Sequence, residues 1–352
     1  GESIGHHEGM FSPQVYDVTA QLAGENRLAV RVLGTRWLPR DRSSFGEKLL
    51  NALEARLAGL SPGSPHRRDT LKCQMSYGWD FCPALLPMGI WDDVYAVVTE
   101  GVFIRDVAVS QTVQPREAVL DVEVEMDVAG SASLRLVCTL GGEEPDGPHL
   151  AAARELAAVP RTNHARLSLA VPEPRMWWPW DQGEPHLYRL AVEVQGEGRV
   201  LDRTVQTVGL RRIEMKGWTL LVNGRPVYCR GANWVPADIL PGRVTEDDYR
   251  ALLTLAREAN MNMLRVWGGG LREKGAFYDL CDRLGILVWQ EFPFACAFLT
   301  RFPRGESYLR LVRAEARAIV RELRHYACLA LWCGGNEFSP KRNRPLVAAL
   351  AG

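Results

Sequence analysis

Apolar and polar residues alternate along the first two thirds of the chain. Val15-Tyr-Asp-Val-Thr19 and Arg27-Leu-Ala-Val-Arg-Val-Leu33 carry the two-residue period of a half-buried strand, with turn chemistry at Gly24-Glu-Asn26 between them. Residues 36–75 break the pattern as a long polar insertion containing Pro and Arg, with a short helix predicted near Glu47–Leu57. Strand character returns at Gly89-Ile-Trp-Asp-Asp-Val-Tyr-Ala-Val-Val98. From about residue 101 short alternating runs recur at 102–109, 118–125, 132–138, 165–170 and 186–194, separated by Gly and Pro turns. That spacing predicts a small sandwich of the immunoglobulin type.

Near 211–226 the period changes. Val227-Tyr-Cys-Arg-Gly-Ala-Asn233 is a predicted strand, and Thr245-Glu-Asp-Asp248 opens a helix with a capping residue followed by early acids. Helices over 249–259, 273–284 and 308–324 then alternate with strands over 263–267, 286–291 and 328–333. Strands alternating with amphipathic helices predict parallel βα units, of which four strands are visible. Pro345-Leu-Val-Ala-Ala-Leu350 reads as the start of a further helix.

Composition changes this picture little. The chain has 352 residues, 47% hydrophobic and 24% charged, which sets it well apart from a disordered segment. Lys plus Arg and Asp plus Glu number 42 each, so no net field draws the chain onto nucleic acid or an anionic membrane. No run of 18 apolar residues is present to form a transmembrane helix. Eight Cys are scattered without CxxC or zinc spacing, several inside apolar runs such as Cys328-Leu-Ala-Leu-Trp-Cys333, and read as buried free thiols. His6-His7 has no third ligand at a metal-site spacing, so neither a metal nor any other cofactor is expected.

The candidate chemistry lies at the ends of the parallel strands. Trp332-Cys-Gly-Gly-Asn-Glu337 ends a buried strand in two glycines and then Asn336-Glu337. In a (β/α) barrel this rim carries the active site, where a carboxyl walled by Trp would be desolvated and able to act as a general acid. Arg265-Val-Trp-Gly-Gly-Gly270 brings Trp267 to the same rim, Gln290-Glu291-Phe292 brings a second carboxylate, and Arg230-Gly-Ala-Asn-Trp234 brings Asn233 and Trp234. Aromatic faces beside carboxylates and amides suit a sugar, whose C–H faces stack while its hydroxyls form hydrogen bonds. Asp238 contacts substrate or caps its own loop, and the sequence leaves the two open.

Over Gly5–Leu350 the chain resembles the β-mannosidase branch of glycoside hydrolase family 2. The resemblance rests on His6-His-Glu-Gly-Met-Phe-Ser-Pro13, Tyr77-Gly-Trp-Asp-Phe81, Gly89-Ile-Trp-Asp-Asp-Val94, Cys229-Arg-Gly-Ala-Asn-Trp-Val-Pro-Ala-Asp238, Arg265-Val-Trp-Gly-Gly-Gly270, Val288-Trp-Gln-Glu-Phe292 and Gly334-Gly-Asn-Glu337, in that order. It implies a jelly-roll sugar-binding domain over residues 1–100, an immunoglobulin-like β-sandwich over 101–210 and a TIM-barrel catalytic domain over 211–352. It further implies a retaining exo-glycosidase acting on terminal β-mannose, with a β-mannoside oligosaccharide or glycoside as substrate and no cofactor, nucleic acid or membrane partner.

Residue by residue, the resemblance makes Glu337 the acid/base and Asn336 the amide that binds the 2-hydroxyl. It makes Trp79-Asp80-Phe81 a loop from the first domain that grips the terminal sugar, and Trp267 an aromatic of the sugar pocket. Asn233, Trp234, Asp238, Arg265 and Glu291 form a wider candidate pocket. The family carries Trp-Asp-Trp-Gly-Pro where this chain has Trp79-Asp-Phe-Cys-Pro83. The family's nucleophile stands on strand seven, and residues 211–352 fall well short of the roughly 250 of a full barrel. The chain, which starts on Gly1, is therefore expected to be partial, with part of a jelly roll, one whole sandwich, half a barrel and no nucleophile. A cytoplasmic setting is the expectation for the compartment. The alternatives carried alongside are another family 2 activity (β-galactosidase, β-glucuronidase or exo-β-glucosaminidase) and a non-catalytic carbohydrate-binding protein.

Overall fold

The computed structural model describes residues 2–35, 45–57, 67–114, 116–142 and 149–352. Of the polar insertion predicted over 36–75, helix α1 (Phe45–Leu57) and the stretch from Arg67 onward are described, and 36–44 and 58–66 lie outside the described residues.

The middle of the chain forms two antiparallel sheets. Strands β1 (Val102–Val113), β2 (Glu117–Val128) and β5 (Arg161–Pro172) make one, in the order β1-β2-β5. Strands β3 (Ala132–Gly141), β4 (Leu150–Ala158), β6 (Tyr188–Gly196) and β7 (Arg199–Val208) make the other, in the order β4-β3-β6-β7. Every second residue of β2 faces inward, from Ala118 through Leu120, Val122 and Val124 to Met126, against Leu134, Leu136, Cys138 and Leu140 of β3. Each face alone would leave an apolar surface in water, so the two close on one another as a seven-stranded sandwich. Strands β4 and β7 were not foreseen. β4 reads Leu-Ala-Ala-Ala-Arg-Glu-Leu-Ala-Ala, a helix-favouring composition that becomes a strand because β3 offers it a ladder from Ala132↔Ala158 to Leu140↔Leu150.

The first hundred residues correct the sequence reading. The strands expected at 15–19, 27–33 and 89–98 are not formed, since the first strand among the described residues begins at Val102. These segments run without a ladder, and their alternating apolar side chains stand in solvent, Val30 being 57% exposed. A strand is defined by its partner, and none of the described residues pairs with them. What does dock from this region is local. Phe11 N–H and the Ser12 hydroxyl donate to the buried Glu315 carboxylate, and a Cβ at Gly9 (φ +112°) would lie 2.5 Å from that carboxyl, so the Gly-Met-Phe-Ser run fits the barrel side there.

A meander of β8 (Ile213–Lys216), β9 (Thr219–Val222) and β10 (Arg225–Val227) leads into the parallel part. There β11 (Gly231–Trp234), α2 (Glu246–Glu258), β12 (Met263–Val266), α3 (Gly275–Leu284), β13 (Leu287–Glu291), α4 (Glu306–Leu323) and β15 (Leu329–Cys333) alternate, and the strands line up in chain order β11-β12-β13-β15. The predicted strand over 227–233 is split between β10 and β11. Thr245 caps α2 as expected, its side chain accepting from Asp248 N–H while Asp248 accepts from Thr245 N–H. Two short strands, β14 (Ala295–Ala297) and β16 (Asn336–Phe338), pair in parallel beyond the sheet's C-terminal edge, and α5 (Arg344–Ala351) follows. This is the strand–helix order of a TIM barrel, represented here by four barrel strands.

The sandwich and the parallel unit share a tight seam. Trp177, fully buried, donates its indole N–H to Asp282 O at 2.9 Å, and Trp180 donates to Met261 O at 2.9 Å. Arg211 donates to Ala327 O at 2.6 Å and Leu329 O at 3.0 Å, satisfying carbonyls at the start of β15. Trp177 and Trp180 thus pack between the two domains. All eight cysteines are free; Cys229 is exposed, and Cys82 and Cys333 are only partly buried.

Candidate active site

Parallel pairing sets Asn233 beside Arg265 and Arg265 beside Trp289, so one rim position recurs strand after strand. From that rim Arg265 reaches three groups through four hydrogen bonds. Its Nη1 donates to Asn233 Oδ1 at 2.9 Å, its Nε and Nη2 to Glu291 Oε1 at 3.0 and 2.7 Å, and its Nη2 also to Asn336 Oδ1 at 2.7 Å. Glu291 is buried, and its second oxygen accepts from Gly268 N–H at 2.8 Å. Both oxygens are therefore occupied, and Glu291 anchors Arg265. A Cβ at Gly268 would meet Phe292 O at 2.5 Å, which is why glycine ends β12 at this close approach.

The contact with Arg265 settles how Asn336 is turned. A guanidinium only donates, so the amide oxygen must face it and Nδ2 must face the other way. Nδ2 lies 3.4 Å from Glu337 Oε2 and 3.6 Å from Cys296 Sγ. Asn336 is buried, whereas Glu337 is exposed. The desolvated carboxyl expected beside Trp332 is not found. Trp332 is turned aside, stacked on Phe292 at 5.4 Å, and the described residues wall Glu337 on the Cys296 and Asn336 side. Gly335 (φ +138°) makes the turn into β16, where a Cβ would lie 2.4 Å from Phe294 O.

The first domain contributes to the same rim. Trp79 and Cys82 exchange backbone hydrogen bonds of 3.0 and 3.3 Å, which puts Asp80 and Phe81 at the tip of a tight turn. Met75 N–H donates to Gly269 O at 2.8 Å and pins this loop to the end of β12. Trp267 packs edge-on against Trp79 at 4.7 Å and Phe81 at 5.8 Å, forming an aromatic wall with the Asp80 carboxylate exposed at its end.

Two candidates from the wider pocket lie elsewhere. Trp234 follows Asn233 on β11 and therefore points to the opposite side of the sheet, where its ring packs against Phe277 at 4.8 Å and its N–H donates to Glu273 at 2.9 Å. Asp238 accepts from Leu240 N–H at 2.8 Å and lies 3.6 Å from Arg243, the loop-capping alternative. Asn233, Arg265, Glu291, Asn336 and Glu337 form one connected group, with Trp79, Asp80, Phe81 and Trp267 as a second.

Sequence reasoning missed Cys296 and Arg67. Cys296, in Phe294-Ala-Cys-Ala297 just past β13, donates its Sγ–H toward Glu337 Oε2 at 3.5 Å. Burial first, and the Glu337 charge second, push this thiol up to about 12, so it stays protonated. Arg67 is buried and donates to Ala295 O and Cys296 O, each at 2.9 Å, and to Gln74 Oε1 at 2.7 Å. A cysteine just past a strand end was the available signal; it read as a small hydrophobe instead.

Comparison with known proteins gives three family matches along the chain. The model described as glycosyl hydrolase 2 galactose-binding domain-like matches residues 1–92. That of glycosyl hydrolases family 2 matches residues 102–211, and that of the glycosyl hydrolases family 2 TIM barrel domain matches residues 213–349. Beta-mannosidase B of Aspergillus fumigatus is 31% identical over 350 residues, which is 96% of this chain and 39% of that protein. Beta-mannosidase B of Neosartorya fischeri is 33% identical over 287 residues, 78% of this chain and 33% of that protein. The crystal structure of beta-D-mannosidase from Dictyoglomus thermophilum superposes with a TM-score of 0.72 at 34% identity, covering 81% of this chain and 36% of that one. The exo-chitosanase CsxA of Amycolatopsis orientalis, at 20% identity and a TM-score of 0.61, shares the fold. The chain spans 39% or less of the length of these relatives.

Proposed function

The chain belongs to glycosyl hydrolase family 2, and on that premise we propose that it carries the acid/base half of a retaining exo-β-mannosidase. The observation that carries the proposal is the Arg265–Asn336–Glu337 arrangement: a partly buried guanidinium, anchored on the buried Glu291, orients an amide donor beside an exposed carboxyl at the C-terminal rim of parallel strands.

Retaining hydrolysis needs one carboxyl to protonate the leaving oxygen and later deprotonate water, and a second about 5–5.5 Å away to attack the anomeric carbon. Glu337 takes the first role. Asn336 Nδ2, turned to the Glu337 side by Arg265, gives up its 3.4 Å contact with Glu337 Oε2 to donate to the 2-hydroxyl, a contact that strengthens as the ring approaches an oxocarbenium ion. Trp267, Trp79 and Phe81 receive the apolar face of the terminal sugar, and Asp80 accepts from its hydroxyls. Glu291 cannot attack, because both its oxygens are engaged by Arg265 and Gly268. The nucleophile is accordingly assigned outside residues 1–352.

The test uses the longest natural protein that contains this chain. Glu337→Ala lowers turnover of an alkyl β-mannoside by about 10²–10⁴-fold. Azide restores turnover of an activated aryl β-mannoside and gives the β-mannosyl azide. The first-formed sugar from the wild type, read by proton NMR, is the β anomer. Wild-type turnover in Glu337→Ala, or an α first product, removes the proposal. Equal or faster turnover of β-galactoside, β-glucuronide or β-glucosaminide replaces the sugar while keeping the mechanism.

A further inference from the structure

Cys296 and Glu337 are neighbours across the short parallel pair β14·β16, whose registered partners are Ala295↔Asn336 and Ala297↔Phe338. Both sit in left-handed backbone, at φ 49° and 48°, a conformation rare for residues with a Cβ and concentrated at functional sites. Cys296 is held there from both sides. Arg67 clamps the Ala295 and Cys296 carbonyls, and Asn336 Nδ2 donates to the sulfur. The one hydrogen the thiol can donate is aimed at Glu337 Oε2.

We propose that Cys296 is a positioning residue for Glu337: its S–H holds Oε2, and Oε1 is left as the oxygen that exchanges the proton with substrate. The proposal rests on the reading of Glu337 as the acid/base. A donor held on one carboxyl oxygen limits rotation of the group and leaves the other oxygen free for the proton. The charged groups around the pair are Glu337 itself on β16, Arg67 from the first domain behind the Cys296 carbonyl, and Arg265 from β12 behind Asn336. Glu54 of α1 binds the next turn at Phe298, Leu299 and Thr300. Burial keeps the thiol neutral through the working range, so it acts as a donor and not as a second charge.

The experiment compares kcat/KM for an alkyl β-mannoside, whose leaving oxygen needs the proton, with that for an activated aryl β-mannoside, whose leaving group does not, in the longest natural protein that contains this chain. Cys296→Ala lowers the alkyl-to-aryl ratio by about 3–10-fold, the size of one weak hydrogen bond. Cys296→Ser, which keeps a donor, restores the wild-type ratio and guards against a folding defect in the alanine variant. An unchanged ratio in Cys296→Ala, or the same fall in both variants, overturns the proposal. A ratio that falls in Glu337→Ala but not in Cys296→Ala leaves the acid/base reading standing without the Cys296 contact, and a ratio that stays fixed in Glu337→Ala removes Glu337 from the acid/base role, so the two readings fail separately.

Discussion

Arg27-Leu-Ala-Val-Arg-Val-Leu33 and Leu120-Asp-Val-Glu-Val-Glu-Met126 carry the same alternation, yet Val30 is 57% exposed while Leu120 has no exposed surface. The second segment has β1 on one side and β5 on the other, with registers running from Ala118 to Val128 on both. The first has no ladder among the described residues. Alternation creates an apolar face, and only pairing plus a second layer buries it. The largest predicted effect follows directly. Leu120→Ala destabilises the protein by about 2–5 kcal/mol in denaturant unfolding, because it opens a cavity in a closed sandwich. Val30→Ala stays within about 0.5 kcal/mol. Equal costs at the two positions would mean that the first segment is packed after all.

The first hundred residues are not uniformly loose, and Arg67 sharpens the contrast within them. Its guanidinium is brought down to about 10 by burial and then by the neighbouring Arg68, and is still charged at neutral pH. It bridges Gln74 to the backbone of Ala295 and Cys296. Arg67→Met keeps the length of the side chain and strands three acceptors. A loss of about 2–3 kcal/mol is expected, together with faster protease cleavage around Cys296. Unchanged stability and cleavage would make the latch a passive contact, and the first hundred residues would then differ from the sandwich throughout.

Legibility follows the same division. The four parallel strands and their helices could be read because each βα unit declares itself locally, through a cap such as Thr245 and a helical period. Strand ends also gave Asn233, Arg265, Glu291, Asn336 and Glu337, since parallel register delivers them to one rim whatever surrounds them. Trp234 was misjudged by one residue, and in a strand one residue is the other face. Strand β4 was hidden by its Ala, Glu and Arg content, which only the neighbouring β3 overrides. The link from Arg67 through Cys296 to Glu337 spans most of the chain, and no local pattern announces it.

The seam between sandwich and barrel supplies the smallest contrast, because it is set by proton binding and not by packing volume. Asp282 on α3 accepts from Ala327 and Cys328 N–H at 3.1 and 2.7 Å, and burial raises its carboxyl to about 6 against hydrogen bonds and Arg211 that pull it down. A folded-state pKa above the unfolded value means the native protein binds the extra proton. The contribution of Asp282 is therefore complete below about pH 4 and is lost as pH rises through about 6. His325 works the other way. Burial first and Arg324 second lower it to about 4, so its contribution is complete above pH 6.5 and is lost as pH falls through about 4. Over pH 4–6 the two slopes oppose each other and the wild type changes little. In Asp282→Asn the His325 slope is left alone, and stability rises with pH by about 2 kcal/mol across that window. In His325→Gln the Asp282 slope remains, and stability falls. Denaturant midpoints at the two ends of the window read the sign. Parallel slopes in the two variants would show that neither group titrates at the seam.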